Sequence, residues 1–506
     1  MQRIQAHQCH PLHDGAATRA LEAAAQAALP PHTLMQRAGA AVARLAQALA
    51  PHARTVWVAC GAGNNGGDGL EAAALLQRAG YAVQASLLAR PEDLPADARL
   101  SWQRAQEAGV RFTDTPPPLG PQDACIDALL GIGLRATPGH HAPDARLQQW
   151  LAHLRTSAAA TLCVDVPSGL LADTGQWAPG FAAATPPLGA RYTLSLLTLH
   201  PGLFTAQGRD AAGEVWFEDL GVNADAQAPC ALLAGEPPAT ARPHASHKGS
   251  FGDVAVLGGE GLAARGMGMT GAALLAALAA LHGGAGRVLL APLDESVSAL
   301  PAWPELMLRR PDMLDLAHAT LVCGCGGGQA IISHLPHALA QATRLVLDAD
   351  ALNAIAMDAA LQEALRARQA HAGGATVLTP HPLEAARLLG CTSADVQADR
   401  PRATARLVER FGCTVVLKGS GSIVAAPGQT PRINPTGNAR LATAGTGDVL
   451  AGLIGAHLAA LHADTHEAIH DAASRACWQH GAVADQWPTG RAFTALALAR
   501  ALGSGS

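Results

Sequence analysis

The sequence predicts two α/β domains in tandem, on three observations. Short apolar runs of strand type alternate with segments of helical periodicity along nearly the whole chain, the pattern of a doubly wound parallel sheet. Glycine-rich turns follow several of the strand-type runs, at the strand ends where open α/β sheets take their ligands. Residues 224–246 are Ala/Pro-rich and lack clean periodicity, which sets a join near 235 and domains of 1–234 and 235–506. A chain of 506 residues has room for two or three cores.

In the first half, residues 15–50 carry apolar positions at helical spacing. Arg54 to Cys60 is a buried-type strand, followed at once by Gly61-Ala-Gly-Asn-Asn-Gly-Gly-Asp-Gly69 and a helix over 70–79. Strand, glycine loop and helix in that order place a phosphate or nucleotide at a helix N-terminus. The spacing is neither a Walker loop nor a dinucleotide fingerprint. A tight turn is the plainer alternative, but two Asn and one Asp among five Gly are more polar than a turn requires. A strand over 81–89 and a helix over 96–108 come next. Ala124 to Leu130 is a strand with Asp127 inside an apolar run, leading to Gly131-Ile-Gly-Leu-Arg-Ala-Thr137. A carboxylate there needs a cation or donors; a loop anchor is the alternative. Helix 145–155 precedes strand Thr161 to Asp165, which ends in Val166-Pro-Ser-Gly-Leu170. Asp165 and Ser168 therefore fall at a strand's C-terminal end. Arg191–Leu197 and Glu214–Phe217 supply later strands.

The second half opens with Ser246-His-Lys-Gly-Ser-Phe-Gly252 and strand Asp253–Leu257. A small-residue helix over 269–282 and a strand over 286–291 follow. Leu321-Val-Cys-Gly-Cys-Gly-Gly-Gly328 is a strand ending in a glycine loop, and Arg344 to Asp348 is a strand with Asp348 and Asp350 at its end. Strand Ala375–Leu378 leads to Thr379-Pro-His-Pro-Leu-Glu384, with His381 held between two prolines at the start of helix 383–389. Thr414–Leu417 ends at Lys418, then a glycine turn and a hairpin strand over 422–426. Thr443-Ala-Gly-Thr-Gly-Asp448 runs into an apolar helix ending near Leu461. Gly445 to Gly447 let backbone approach a ligand, and the helix aims free N–H groups and its positive end there. With Asp448 on the rim, this is an anion hole with a proton acceptor; an ordinary Asp N-cap is the alternative.

Composition narrows the partners. A net charge of −5 gives no basic footprint for nucleic acid. No apolar run has the roughly 18 residues of a membrane span, and residues 1–36 lack a signal-peptide order. The ten Cys are scattered without a CxxC pair, which fits reduced thiols in a cytoplasm. Of 35 basic side chains only Lys248 and Lys418 are lysines, both in glycine-flanked loops. A chain that otherwise uses Arg keeps Lys where a compact point charge is wanted, so both are candidate functional groups. A homo-oligomer is expected.

The order of these loops carries a resemblance over about residues 15–500. Through Asn64-Asn-Gly-Gly-Asp68, Asp127-Ala-Leu-Leu-Gly-Ile-Gly133 and Asp165-Val-Pro-Ser-Gly-Leu-Leu-Ala-Asp-Thr-Gly175, the first half resembles the NAD(P)H-hydrate epimerase domain. The second half resembles the ribokinase-like NAD(P)H-hydrate dehydratase. It does so through Ser246-His-Lys-Gly249, Thr379-Pro-His-Pro382, Glu384-Ala-Ala-Arg-Leu-Leu-Gly390, Val416-Leu-Lys-Gly419 and Thr443-Ala-Gly-Thr-Gly-Asp448. Together they look like the fused bifunctional nicotinamide nucleotide repair enzymes of bacteria.

The resemblance implies a Rossmann-like domain followed by a ribokinase-like one. It implies epimerisation of hydrated NADH and NADPH (NADHX and NADPHX), then dehydration of the S form with ADP as phosphoryl donor. Substrate contacts would fall on Asn64, Asn65, Gly66, Gly67 and Asp68, on Gly131, Ile132, Gly133, Leu134, Arg135, Ala136 and Thr137, and on Asp165 as the proton-transfer group. A potassium ion would sit at Asn65, Asp127 and Ser168. In the second domain Asp448 would accept the hydroxyl proton, with Ala272, Gly326 and His381 on the hydrated cofactor. Lys418, Gly419, Ser420, Gly421, Ser422 and Gly447 would hold the nucleotide, and a magnesium ion is expected from the chemistry.

Three stretches depart from the family pattern. Cys323-Gly-Cys-Gly-Gly-Gly328 stands where a Gly-Pro-Gly-Leu-Gly-like loop is expected, His200 stands where Lys is expected, and Gly258-Gly-Glu-Gly-Leu-Ala-Ala-Arg265 is longer and more charged than the usual turn. Two rival readings share part of the evidence. A vitamin-precursor kinase has the same anion hole, but the first-half loops and Thr379-Pro-His-Pro382 argue against it. A non-catalytic nucleotide sensor conflicts with the presence of Asp448, Lys418, Asp127 and Asp165.

Overall fold

A computed structural model describes residues 1–135, 143–182, 187–239, 242–368 and 374–505. The chain divides into two units, one of residues 1–5 and 10–231, the other of 6–9 and 232–506. Both have the α/β class that the sequence predicts.

The sheet of the first unit runs, edge to edge, through Gln2–Arg3, Glu214–Glu218, Arg191–Leu196, Ala160–Val164, Ala124–Ala128, Val56–Cys60, Val83–Leu87 and Arg111–Phe112. All neighbours are parallel except the first pair. The chain moves outward one way from Val56–Cys60 and then the other way from Ala124–Ala128. The crevice between the ends of these two strands is the topological switch point, where such sheets bind ligands. Both strands are buried throughout, as strands covered on both faces must be. Helix Gly15–Ala28 starts at Asp14, whose side chain accepts from Ala16 and Ala17 N–H, and helix Thr33–Leu49 packs Val42 and Leu45 into the core.

One helix differs from expectation. It spans Asn64–Arg78, so the polar glycine stretch is the helix's first turns and not a free loop. Packing overrides glycine's poor helix propensity. A Cβ on Gly66 would overlap the Gly61 carbonyl, and one on Gly67 would lie 2.6 Å from Met35 Cε.

In the second unit the sheet runs through Met307–Leu308, Arg287–Pro292, Asp253–Gly258, Ala319–Cys323, Arg344–Leu347, Ala375–Leu378 and Thr414–Leu417, all parallel. Ile423–Ala425 and Arg432–Ile433 continue it antiparallel, and Leu232 and Leu233 pair with Arg432 and Ile433. The switch point here separates Asp253–Gly258 from Ala319–Cys323. Helices Thr270–His282 and Thr446–Ala459 cover one face. Their small residues allow close approach: a Cβ on Gly452 would overlap the Ala276 carbonyl. No helix among the described residues is long and apolar enough to cross a membrane.

Candidate active site

In the first unit, a cavity of about 410 Å³ opens at the switch point. Asn64, Asn65, Asp68, Gly131, Ile132, Gly133, Leu134 and Asp165 all line it, so the start of helix Asn64–Arg78 and two strand-end loops meet there. Gly66 and Gly67 do not line it; they are buried against Gly61 and Met35. Arg135 is exposed and outside the lining. Ala136 and Thr137 lie outside the described residues.

Asp165 follows strand Ala160–Val164 with φ +70°. That left-handed backbone is open to Asp and Asn but strained for most side chains. Its Oδ2 accepts from Ile132 N–H at 3.4 Å and its Oδ1 from Leu196 N–H at 3.5 Å. Three further carboxyls line the cavity, Glu22, Asp68 and Asp97. Burial and then the charge of Asp165 push the Glu22 carboxyl up. Asp68 is pushed well up, first by burial and then by Asp165 and Glu22.

Asp127 is 2% exposed and lies outside the cavity lining. Its Oδ1 accepts from Ser168 Oγ at 2.5 Å and its Oδ2 from Ser168 N–H at 3.1 Å. Ser168 Oγ in turn accepts from Leu130 N–H at 2.9 Å. A Cβ on Gly131 would lie 3.3 Å from Asn65 Oδ1. The side chains of Asn65, Asp127 and Ser168 therefore converge on one turn, Leu129 to Gly131. The buried Nδ2 of Asn65 lacks a hydrogen-bond partner.

In the second unit, the residues that matter sit at the C-terminal ends of the parallel strands. Lys418 Nζ lies 2.6 Å from Asp348 Oδ1. Burial disfavours the ammonium, but Asp348 and Glu384 outweigh it, and the net shift is upward, so Lys418 stays charged. A Cβ on Gly447 would lie 3.4 Å from Lys418 Nζ, which puts the cation beside the helix N-terminus. Gly445 takes φ +90° as N-cap, and Asp448 lies in the first turn of Thr446–Ala459. Asp448 thus stands inside the helix, one turn from the cap, and is not itself the cap. Burial, then Asp348, push its carboxyl up to about 6. Cys325 Sγ and carboxylate oxygens of Asp348 and Asp448 lie within 4.8 Å of one another. Burial first, then Asp448, hold the Cys325 thiol well up and protonated.

His381 caps helix Pro382–Leu389: its Nδ1 accepts from Leu383 and Glu384 N–H, and Glu384 Oε2 accepts from His381 N–H. Its Nε2 lies 3.2 Å from Glu384 Oε1, and nearly half the ring is exposed. Gly326 sits with φ +58° against Ala272, whose Cβ would be 2.8 Å from a Cβ there. In the turn Lys418–Ser422, Ser422 Oγ accepts from Gly419 N–H at 3.3 Å, while Gly419 and Ser420 are exposed and Gly421 is buried. The other lysine, Lys248, does not join this group. It is exposed in a 3₁₀ turn before strand Asp253–Gly258, at the N-terminal edge of a parallel sheet whose candidate residues lie at the opposite edge.

Supporting residues escaped the sequence reading. Arg400, 1% exposed, donates to the carbonyls of Lys418, Leu417 and Gly421 and so holds the turn from beneath. Glu260 pairs with Arg265 at 2.7 Å and accepts from Gln329 and Ala330 N–H. The extra charge in the stretch from Gly258 to Arg265 thereby organises the loop after Cys323. Asp485 accepts from Gly437 N–H and Asn438 Nδ2, and His480 Nε2 donates to the Thr446 carbonyl, anchoring the anion hole. Charged residues beside glycine turns were the available signal, but their partners lie up to about seventy residues away in sequence and no local spacing reveals them.

Residues 31–202 match the YjeF-related N-terminal family, and residues 256–502 match the NAD(P)H-hydrate dehydratase family. A bifunctional NAD(P)H-hydrate repair enzyme of Escherichia coli is 36% identical over 489 residues, covering 92% of this chain and 87% of the relative. The chain belongs to the bifunctional NAD(P)H-hydrate repair enzymes. The repair-enzyme match spans both units, and the dehydratase-family match falls in the second. An ADP-dependent (S)-NAD(P)H-hydrate dehydratase of Neisseria meningitidis is 42% identical over 253 residues, covering 48% of this chain and 80% of that one. Among solved structures, the ADP/ATP-dependent NAD(P)H-hydrate dehydratase of Bacillus subtilis, co-crystallised with ATP and Mg2+, is 27% identical with a TM-score of 0.42. It covers 52% of this chain and 92% of its own.

Proposed function

We propose that the first unit interconverts the R and S epimers of NADHX and NADPHX, and that the second dehydrates the S epimer using ADP, releasing AMP and phosphate. The observation that carries the reading is the duplicated arrangement of an acid at a switch point. Asp165 borders one cavity, and Asp448 stands in the first turn of a helix beside Lys418.

For dehydration, Asp448 accepts the proton of the substrate hydroxyl, which then takes a phosphoryl group from ADP. Water is a poor leaving group and phosphate a good one, so the phosphorylated hydroxyl leaves as phosphate while the neighbouring ring carbon gives up a proton and the double bond forms. The N-terminal turn at Gly445 to Gly447 and the Lys418 ammonium stabilise charge on the transferring group. With its carboxyl near 6, Asp448 is mostly ionised at neutral pH yet basic enough to take a proton. The turn from Lys418 to Ser422 holds the nucleotide, and Ala272, Gly326 and His381 border the hydrated nicotinamide.

For epimerisation, Asp165 takes the hydroxyl proton as the carbon–nitrogen bond opens and returns it when the ring closes on the other face. Asn64, Asn65, Asp68 and Gly131 to Leu134 surround the substrate. A potassium ion would be held by the oxygens of Asp127, Ser168 and Asn65, a hard donor set of carboxylate, hydroxyl and amide oxygen; bound there, it offsets substrate phosphate charge. Magnesium fits the second unit less well. Asp348 is engaged by Lys418, and the third nearby group is a thiol, a poor ligand for a hard cation. We assign magnesium to the phosphates of the nucleotide.

The test is incubation of the protein with mixed epimers and ADP, followed by nicotinamide absorbance. Conversion of both epimers is expected. Conversion of the S form alone would remove the first activity, and no conversion would overturn the reading.

A further inference from the structure

His200 is fully buried, and its ring has one anchored and one unanchored nitrogen. Nδ1 lies 3.1 Å from the His13 carbonyl oxygen. A carbonyl only accepts, so Nδ1 carries hydrogen. Nε2 has no hydrogen-bond partner and faces Asp165 Oδ1 at 3.7 Å. If the ring were neutral, a bare Nε2 lone pair would face a carboxylate inside the protein. Two acceptors held together without a proton are unfavourable.

We propose that His200 is the positioning residue of the first site: a proton lies between its Nε2 and Asp165 Oδ1. This rests on the reading of Asp165 as the epimerising carboxylate. A shift of about 0.5–1 Å brings the pair into hydrogen-bond range. The two backbone N–H groups on Asp165, at 3.4 and 3.5 Å, are long, so the imidazole is the strong donor available. The other charged groups lining the cavity are three carboxyls, Glu22, Asp68 and Asp97, and one cation, Arg19. Glu22, on helix Gly15–Ala28, and Asp68, on helix Asn64–Arg78, are each coupled to the Asp165 charge. His13 Nε2 is turned to the Gln227 carbonyl at 3.2 Å.

The two oxygens of Asp165 then have separate tasks. Oδ1 is occupied by His200. Oδ2 lies beside Gly131 and Ile132, which line the cavity, and meets the substrate. As the ring opens, the substrate hydroxyl gives its proton to Oδ2 while the carbon–nitrogen bond breaks. The same proton goes to the ring nitrogen, and closure reverses the sequence, so no proton is gained or lost. His200 keeps Oδ2 the free, ionised oxygen and fixes its direction. The family pattern puts Lys at this position, and an ammonium does the same work from a longer stem.

The experiment uses the full chain and follows exchange of (R)-NADHX to (S)-NADHX without ADP. His200→Leu is expected to lower the exchange kcat by about tenfold or more with KM little changed, and His200→Lys to restore most of it. Dehydration of pure (S)-NADHX with ADP serves as the internal control in both variants. Wild-type exchange in His200→Leu, or failure of Lys to rescue a folded variant, would overturn the proposal. Nitrogen NMR of the His200 ring in the unaltered protein is a second readout that needs no variant. A proton on Nε2 beside an ionised Asp165 is expected; a bare Nε2 would overturn it. Asp165→Asn separates the two ideas. Retained exchange there removes Asp165 itself, whereas loss there with normal His200→Leu removes only the pairing.

Discussion

The two units solve one problem with different partners. Each ends parallel strands in glycine turns and puts an aspartate at the switch point. Around Asp165 the neighbours are carboxyls and a buried imidazole. Around Asp448 they are a lysine ion pair and a protonated thiol. The first environment conserves a proton, as an isomerisation requires. The second gathers positive charge at a helix end, as transfer of a phosphoryl group requires. The reaction each unit can support follows from the partner of the carboxylate more than from the carboxylate.

The sharpest way to break this comparison is to remove one acid at a time. Asp448→Asn should cost about 10²–10⁴-fold in dehydration and leave epimer exchange unchanged; parallel loss of both activities would mean the sites are not independent. Asp165→Asn keeps a residue that tolerates φ +70° and should lower exchange by about 10²–10³-fold, with ADP-driven dehydration of the S form intact. The pH profile distinguishes the two environments without mutation. Because the Asp448 carboxyl is raised to about 6, its base form is lost as pH falls through that value. Dehydration kcat/KM should then drop about tenfold per pH unit below it.

Two smaller effects sharpen the picture. Lys418→Arg should raise the KM for ADP by about tenfold, since a planar fork does not replace a point charge held 2.6 Å from Asp348. The glycines of the two units should also behave differently. Gly66→Ala should lower stability by about 1–3 kcal/mol, read as a lower Tm, because its Cβ overlaps the Gly61 carbonyl. Gly447→Ala meets its nearest neighbour only at 3.4 Å and should lose dehydration with little change in Tm.

The sequence made the strands and their terminal loops legible because buried parallel strands are short apolar runs closed by glycine. Val56–Cys60, Ala375–Leu378 and Thr414–Leu417 fall within the stretches expected. It misplaced the start of helix Asn64–Arg78 because glycine's local preference opposes a helix, and only tertiary contacts with Gly61 and Met35 reverse that. It treated Lys248 and Lys418 alike because rarity carries no address; their places at opposite edges of the sheet come from the topology. Arg400, Glu260 and Asp485 were invisible as supports, since each acts on backbone far from it in sequence. Helix His466–Asp485, which anchors the anion hole through His480 and Asp485, also went unread. Its buried Ala, Ser and His positions do not stand out from its polar ones.

The short segment Ala6–Cys9 belongs with the second unit. Trp478 Nε1 donates to the Ala6 carbonyl at 3.0 Å, across 472 positions of sequence, and Glu236 N–H donates to the His7 carbonyl. During synthesis these early residues emerge long before Trp478 exists to receive them. The second unit is therefore finished only when nearly the entire polypeptide has left the ribosome. A gene cut at 231/232 would separate the unit from a piece of its own packing, so each half is best silenced by point substitution and not by dissection.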